Sequence, residues 1–448
     1  MILSMNKSGI NDGKLFNFSN RLSWNGDNFS MRTERRRDNQ QWILDWLVKT
    51  TGRVQNFAND ERTLPPEVKS YRMIPRVLFK EAHHHETIAR AAEAAGHVDT
   101  ARQLYRRASE VYHEAQHSIF EDDNDEKIFL HAKHMECYNK VVEHVDNPIE
   151  LVEIPWEGVS IQGRLHLLKD HRRAPAVLFL PGMDMTKETF PNPLSNPFLR
   201  RGMHVLSIDG PGQGISNIRK IRVSDDNYER AASAAIDYLA RRPEVDPDNI
   251  VIAGISFGSH WGARTAARDK RVRALATGYA VVGPKQAIFE EASPRFKQMF
   301  MYMAGIHDED EFDRMAERMI TSGYAAKISC PTLLVTGEYD PLCHLEAVVD
   351  FFEELSCPKE LWVLENEFHR VGQREGIGGL EVYPFMADWL RDELDGRHPT
   401  DLRKIVLVPQ KSGAGPYEAP VDSLNLPRRA GLTKPELNLK EDAPNSGG

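Results

Sequence analysis

The sequence is short of cysteine, of long apolar runs and of positive charge, and each shortage excludes something. Only 4 cysteines occur in 448 residues. Cys137, Cys330, Cys343 and Cys357 stand at spacings that match no zinc motif. Four scattered thiols do not build a disulfide framework in a chain of this size, which points to a reducing compartment. No apolar run approaches the roughly 20 residues that a membrane-spanning helix needs. The stretch from Met1 to Asn20 lacks the continuous apolar segment of a secretory signal. Lys and Arg number 57 against 66 Asp and Glu, a formal charge of −9. That balance argues against a general nucleic-acid binder, because phosphate affinity needs clustered Lys and Arg. It argues equally against attachment to anionic membranes by charge. The expectation is a soluble, cytoplasmic protein with no nucleic-acid and no membrane partner.

What is present is ordinary for a globular chain, with 41% apolar and 27% charged residues. The length suggests about two to three domains and suffices to bury a core without disulfides or metals. Residues 1–145 read as a loose N-terminal arm followed by an all-helical domain. Trp42, Trp46 and Leu47 recur at helical spacing, as do Ile88, Ala91, Ala92 and Ala95. Gly96 stops that helix, and Asp99 or Thr100 is expected to cap the next, which carries Leu104, Ala108, Val111, Tyr112 and Ala115. A further stripe runs through Ile128, Phe129, Ala132, Met135 and Val142.

Asp146-Asn147-Pro148 marks a boundary, because the residue before a proline resists the helical region. Residues 146–396 then alternate short apolar runs with helical segments. The runs are Leu151–Ile154, Ile161–Leu168, Ala176–Leu180, His204–Ile208, Ile250–Gly254, Ala274–Thr277, Thr332–Val335 and Leu361–Leu364. Such alternation predicts an α/β domain around a mostly parallel sheet, with an antiparallel hairpin turning at Trp156-Glu157-Gly158. Residues 397–448 carry prolines, glycines and scattered charge with little periodicity, and read as an irregular tail.

The strongest motif is Gly254-Ile255-Ser256-Phe257-Gly258, between an apolar strand and a helical run. This is the setting of a nucleophile elbow. A serine nucleophile needs a base, and the base needs an orienting acid. Asp340, just past the Thr332–Val335 strand, is the candidate acid, with Glu338 as its rival. His369, just past the Leu361–Leu364 strand, is the candidate base, with His344 as its rival. The oxyanion formed on attack needs two backbone N–H donors. Phe257, next to the serine, supplies one, and Met183, in the loop after Ala176–Leu180, supplies the other.

Asp209-Gly210-Pro211-Gly212-Gln213-Gly214 lacks the Lys-Ser/Thr ending of a phosphate loop and reads as a structural turn in which Asp209 bonds its own loop. His83-His84-His85 point in different directions on a helix and make a poor chelate. His131 and His134 share a face, but no second pair accompanies them. No metal and no cofactor is expected.

With Pro181-Gly182-Met183-Asp184-Met185-Thr186-Lys187-Glu188, the Asp209 loop, the elbow, Asp340 and His369, the sequence resembles the α/β-hydrolase superfamily. More narrowly, it resembles the branch with an N-terminal helical domain. That branch includes 2,6-dihydroxypseudooxynicotine hydrolase and fungal polyketide-shortening hydrolases. The resemblance spans roughly residues 40–395 and implies an α/β-hydrolase fold with an all-helical cap over the catalytic face. It implies hydrolysis of an ester, or of a carbon–carbon bond next to a ketone, in an aromatic or polyketide-like small molecule. In carbon–carbon hydrolases a further carboxylate assists, and Glu290 or Glu291 is the candidate accessory acid. A plain carboxylesterase, lactonase or thioesterase is the alternative enzyme. A non-catalytic interaction protein on a hydrolase scaffold is the alternative from another class. The expected partner is a small-molecule substrate, with a homodimer left open.

Overall fold

Short apolar runs alternating with amphipathic helices hide both faces of each strand only when the sheet is sandwiched between helix layers. The computed structural model has this arrangement, preceded by a helical layer. It describes residues 54–55, 63–183, 185–292, 294–370, 377, 380–410, 415–424 and 426. The Trp42, Trp46 and Leu47 stripe, the N-terminal arm and the end of the tail lie outside the described residues. All described residues fall in one compact unit, and none of their helices is long and apolar enough to cross a membrane.

A two-residue antiparallel pair, β1 (Val54–Gln55) with β2 (Thr63–Leu64), precedes the helical layer. Three long helices follow: α1 (Ile74–Ala94), α2 (Val98–His117) and α3 (Asp125–Val142). Gly96 adopts a φ of +78°, which ends α1 as glycine commonly does. The residue capping α2 is His97, with no side-chain capping bond. Asp99 and Thr100 already lie inside the helix, so neither is the cap. Helix α2 buries Ala108, Val111, Tyr112 and Ala115, as its periodicity predicts.

Helix α3 does not follow its apolar stripe. Ile128 and Phe129 are 40% and 51% exposed, whereas Lys127, Leu130, His131, His134, Cys137 and Tyr138 are buried. The inward face of α3 meets polar atoms of α2 and of the loop after the Ala174–Leu180 strand, so hydrogen-bond partners select the face. Lys127 Nζ donates to the Gln116 and Ile119 carbonyls, and His134 Nε2 lies 3.0 Å from Thr186 Oγ1.

The sheet begins with β3 (Ile149–Trp156) and β4 (Val159–His166), paired antiparallel at one edge. Their turn residues, Glu157 and Gly158, have φ of +46° and +80°, as hairpin twist favours. Next come β5 (Ala174–Leu180), β6 (His204–Asp209), α4 (Gly214–Ile218), α5 (Tyr228–Ala240) and β7 (Val245–Ile255). Then α6 (Phe257–Arg268), β8 (Val272–Gly278), α7 (Pro294–Ala304) and α8 (Glu309–Ala316) follow. The chain continues through β9 (Thr332–Gly337), α9 (Leu345–Glu354), β10 (Lys359–Leu364) and α10 (Tyr383–Leu394). It reaches β11 (Arg403–Val408) and β12 (Tyr417–Glu418). Strand order across the ten-stranded sheet is β12-β11-β10-β9-β8-β7-β5-β6-β4-β3. Pairing is parallel from β6 through β5, β7, β8, β9 and β10 to β11. Side-chain alternation along β5 sends Val177 and Phe179 into one apolar core and Leu178 and Leu180 into the other.

The tail expected to be irregular contributes β11 to this sheet. Arg-Lys-Ile-Val-Leu-Val at 403–408 pairs in register with all of β10. Glu365 N then donates to the Val408 carbonyl at 3.0 Å, anchoring the loop that leads to His369. Truncation after Gly396 is expected to destabilise the protein by at least about 4 kcal/mol. The buried Ile405, Val406 and Val408 alone contribute about 1.5–3 kcal/mol each. Denaturant unfolding checks this, and wild-type stability in the truncated chain would refute it.

Candidate active site

Strand β7 ends at Ile255 and α6 begins at Phe257, so Ser256 alone makes the turn. Its φ of +51° and ψ of −125° lie where side chains other than glycine are rare. The Ser256 N–H donates to the Gly278 carbonyl at 2.9 Å, tying the turn to β8. A Cβ on Gly254 would stand 2.4 Å from the Gly258 oxygen, and one on Gly258 would stand 2.0 Å from the Leu180 oxygen. The two glycines of the motif are therefore steric requirements, and the second brings the end of β5 against the first turn of α6.

A third close approach positions the base. A Cβ on Gly337 would lie 2.2 Å from the Phe368 oxygen, so only glycine lets the segment before His369 cross the end of β9. Tyr339 N donates to the Glu367 oxygen and Asn366 N to Glu338 Oε2, each at 3.0 Å. Glu338, the rival acid, thus holds the loop from outside. Asp340 is buried; its Oδ1 accepts from Leu342 N at 2.8 Å, and its Oδ2 lies 2.8 Å from His369 Nδ1. His369 Nε2 lies 2.8 Å from Ser256 Oγ. A carboxylate on Nδ1 keeps the ring proton there and leaves Nε2 to accept from the serine hydroxyl. His344, the rival base, is exposed, precedes α9 and lies 2.9 Å from Glu291 Oε2.

Phe257 is the first residue of α6, where a backbone N–H has no acceptor within the helix. Met183 is buried and lines the same cavity as Ser256. Its loop is held from two sides. Gln213 Nε2 donates to the Gly182 oxygen at 2.7 Å, and Tyr228 Oη donates to Gln213 Oε1 at 2.5 Å. Lys187 Nζ reaches Asp209 Oδ2 at 2.9 Å and Glu188 Oε1 at 3.1 Å, while Arg164 Nε reaches Glu188 Oε1 at 3.1 Å. From the helical layer, Arg106 donates to the Glu188 and Thr189 oxygens at 3.2 and 2.8 Å. Burial alone would neutralise these groups. Against it, Asp209 and Glu188 hold Lys187 above its ordinary pKa, and Lys187 and Arg164 hold Glu188 far below its own. The Asp209 loop is thus a structural turn: Asp209 also accepts from Lys187 N and Ile215 N at 2.7 and 3.0 Å.

A cavity of about 860 Å³ opens above Ser256 and His369. Arg106, His113 and His134 from the helical layer line it, with Met183 and Met185 from the β5 loop, Tyr279 after β8, Arg295 and Phe296 of α7, and Arg370. In the sequence His134 stood out only as a possible metal ligand beside His131, and nothing singled out Arg106 or His113. Glu290 and Glu291 do not line this cavity. They lie on a π-helical turn, Ala287–Glu291, where Glu290 pairs with Lys297 at 3.0 Å and Glu291 with His344. The π turn directs this pair toward Lys297 of α7 and His344 before α9, and nothing in the geometry supports the accessory-acid expectation. Among the described residues, only Glu93, Glu143 and His144 cluster closely enough to share a cation, and Lys140 already pairs with both carboxylates.

Residues 177–397 match the model of the Alpha/beta hydrolase family. The solved structure of 2,6-dihydroxy-pseudo-oxynicotine hydrolase aligns with a TM-score of 0.63 at 24% identity, covering 74% of this chain and 92% of that one. The chain has the α/β-hydrolase fold. A 2,6-dihydropseudooxynicotine hydrolase of Paenarthrobacter nicotinovorans is 26% identical over 324 residues, which are 70% of this chain and 82% of that protein. An alpha/beta hydrolase of Xenoacremonium sinensis is 28% identical over 261 residues. The chain spans 60% of the length of that second relative.

Burial lowers the imidazoles of His131, His134 and His166 from 6.5 to about 3. Each is therefore neutral in the fold at pH values where the unfolded chain binds a proton. Their contribution to stability is complete above pH 6.5 and is lost as pH falls toward about 3. Urea unfolding across that range should show stability falling steeply with acid. His131→Leu, which removes one such proton, should make the fall shallower, and an unchanged slope would contradict this account.

Proposed function

We propose that this protein is a serine-type α/β-hydrolase. Its substrate is an aromatic or polyketide-like small molecule, cleaved at an ester bond or at a carbon–carbon bond next to a ketone. The observation that carries the proposal is the chain of contacts from Asp340 Oδ2 to His369 Nδ1 and from His369 Nε2 to Ser256 Oγ, each 2.8 Å, at the floor of the cavity. The cavity volume of about 860 Å³ falls within the roughly 300–1,000 Å³ usual for small-molecule sites.

The chemistry follows from the geometry. His369 takes the Ser256 proton as the hydroxyl oxygen attacks a substrate carbonyl. Asp340 stabilises the imidazolium that forms, and the Phe257 and Met183 N–H groups receive the tetrahedral oxyanion. His369 then gives the proton to the leaving group, and water releases the acyl group by the same route. The helical layer supplies part of the cavity wall through Arg106, His113 and His134, so it acts as a roof that selects substrate. A plain carboxylesterase, lactonase or thioesterase is the second reading. It gains from the absence of Glu290 and Glu291 from the cavity wall. A retired scaffold has no physical need for an intact strained serine with both partners.

Ser256→Ala is expected to lower kcat by about 10⁴-fold or more, in the range seen when a triad member is lost. The melting temperature should stay near wild type. A parallel turnover screen of β-diketones and aryl esters assigns the bond. Wild-type turnover by the pure variant would overturn the proposal.

A further inference from the structure

Tyr279 follows Gly278, the residue whose carbonyl holds the Ser256 N–H. It takes a φ of +54°, costly for an aromatic residue and the kind of strain that collects at functional sites. Its side chain is buried, yet it lines the cavity shared by Ser256 and His369. Its ring lies 5.8 Å from the His369 ring and packs edge-on against Tyr383 at 6.3 Å. Tyr383 and Arg370 stand close enough to interact with the Tyr279 hydroxyl, yet no hydrogen bond of good geometry to a described residue satisfies it. Buried hydroxyls in folded proteins are almost always bonded, and an exception calls for a reason. Burial also raises the phenol well above its ordinary pKa, so at neutral pH it carries its proton and acts as a donor.

We propose that Tyr279 is a catalytic residue whose hydroxyl donates a hydrogen bond to a second carbonyl oxygen of the substrate, and that 1,3-dicarbonyl compounds are therefore the preferred substrates. The inference rests on the reading of Ser256 as nucleophile. Ser256 Oγ adds to one carbonyl carbon, and its proton passes to His369. Collapse of the tetrahedral oxyanion breaks the bond between that carbon and the carbon lying between the two carbonyls. The electron pair is delocalised onto the second carbonyl oxygen as an enolate, where negative charge develops in the transition state. A donor aimed at that oxygen stabilises it more in the transition state than in the ground state. His369 returns the proton to the enolate, which leaves as a ketone. Water then attacks the acyl-serine, giving a carboxylic acid and free Ser256. An ester generates no enolate, so the same hydroxyl has much less to stabilise. Tyr279 thereby takes the place expected for Glu290 or Glu291.

The test is Tyr279→Phe, which keeps the ring packed against Tyr383 and His369. Kinetics are measured on a β-diketone and an aryl ester, together with the rate of Ser256 labelling by a fluorophosphonate. The expected result is a fall of about 100-fold in kcat on the diketone, the usual effect of losing one oxyanion donor. The loss on the ester should be far smaller, and labelling should run near the wild-type rate. Equal losses on both substrates, no loss on the diketone, or slowed labelling would overturn the inference. So would a wild-type enzyme that hydrolyses esters but no diketone. If wild-type Ser256 takes no label and neither substrate turns over, it is the nucleophile reading that has failed.

Discussion

The geometry of the site depends on the buried ammonium of Lys187, set between Asp209 and Glu188. Burying charge in a protein interior costs several kcal/mol per ion unless each group is paired. Here two cations, Lys187 and Arg164, meet two carboxylates, Asp209 and Glu188, so the charges balance. The consequence is positional. Lys187 belongs to the loop that carries Met183, and Asp209 ends β6, so the pair fixes that loop to the sheet. Arg106 and His134 grip the same loop from the helical layer. A single loop thus joins the sheet, the roof and one proposed oxyanion donor.

The strain at Ser256 has its own compensation. A residue held at such dihedral angles costs on the order of 1–3 kcal/mol. Around it, α6 is buried along nearly its whole length, and Trp261 stacks on Tyr228 with ring centroids 3.7 Å apart. Tyr228 in turn bonds Gln213, which supports the Gly182 carbonyl. The packing that holds the elbow therefore also supports the loop opposite it. Ser256, His369 and Met183 meet because each leaves the same edge of the parallel sheet, the edge where open α/β sheets place their ligands.

Much of this was legible in the residues. Each expected strand from Leu151 to Leu364 corresponds to a strand, because strands buried on both faces must be apolar throughout. Ser256, Asp340 and His369 each follow a strand end, so their convergence followed from topology. The face of α3 was not legible. Its apolar stripe through Ile128 and Phe129 points outward, because the inward positions are chosen by partners on other elements. Strand β11 was hidden by the prolines, glycines and charges around its four apolar residues. Glu290 and Glu291 follow β8 in sequence, yet a π-helical turn directs them away from the cavity, and no local pattern announces such a turn. Tyr279 lies one residue past β8, with nothing in its neighbours to mark a strained backbone or a hydroxyl without a well-formed hydrogen bond.

The central claim is that Ser256 is a nucleophile activated by His369 beneath a helical roof. Treating the full-length protein with a fluorophosphonate, then mapping the adduct by peptide mass spectrometry, tests it most directly. The account predicts one adduct per chain, on Ser256, whose formation stops when His369 is replaced by alanine. No adduct, an adduct elsewhere, or labelling indifferent to His369 would contradict it.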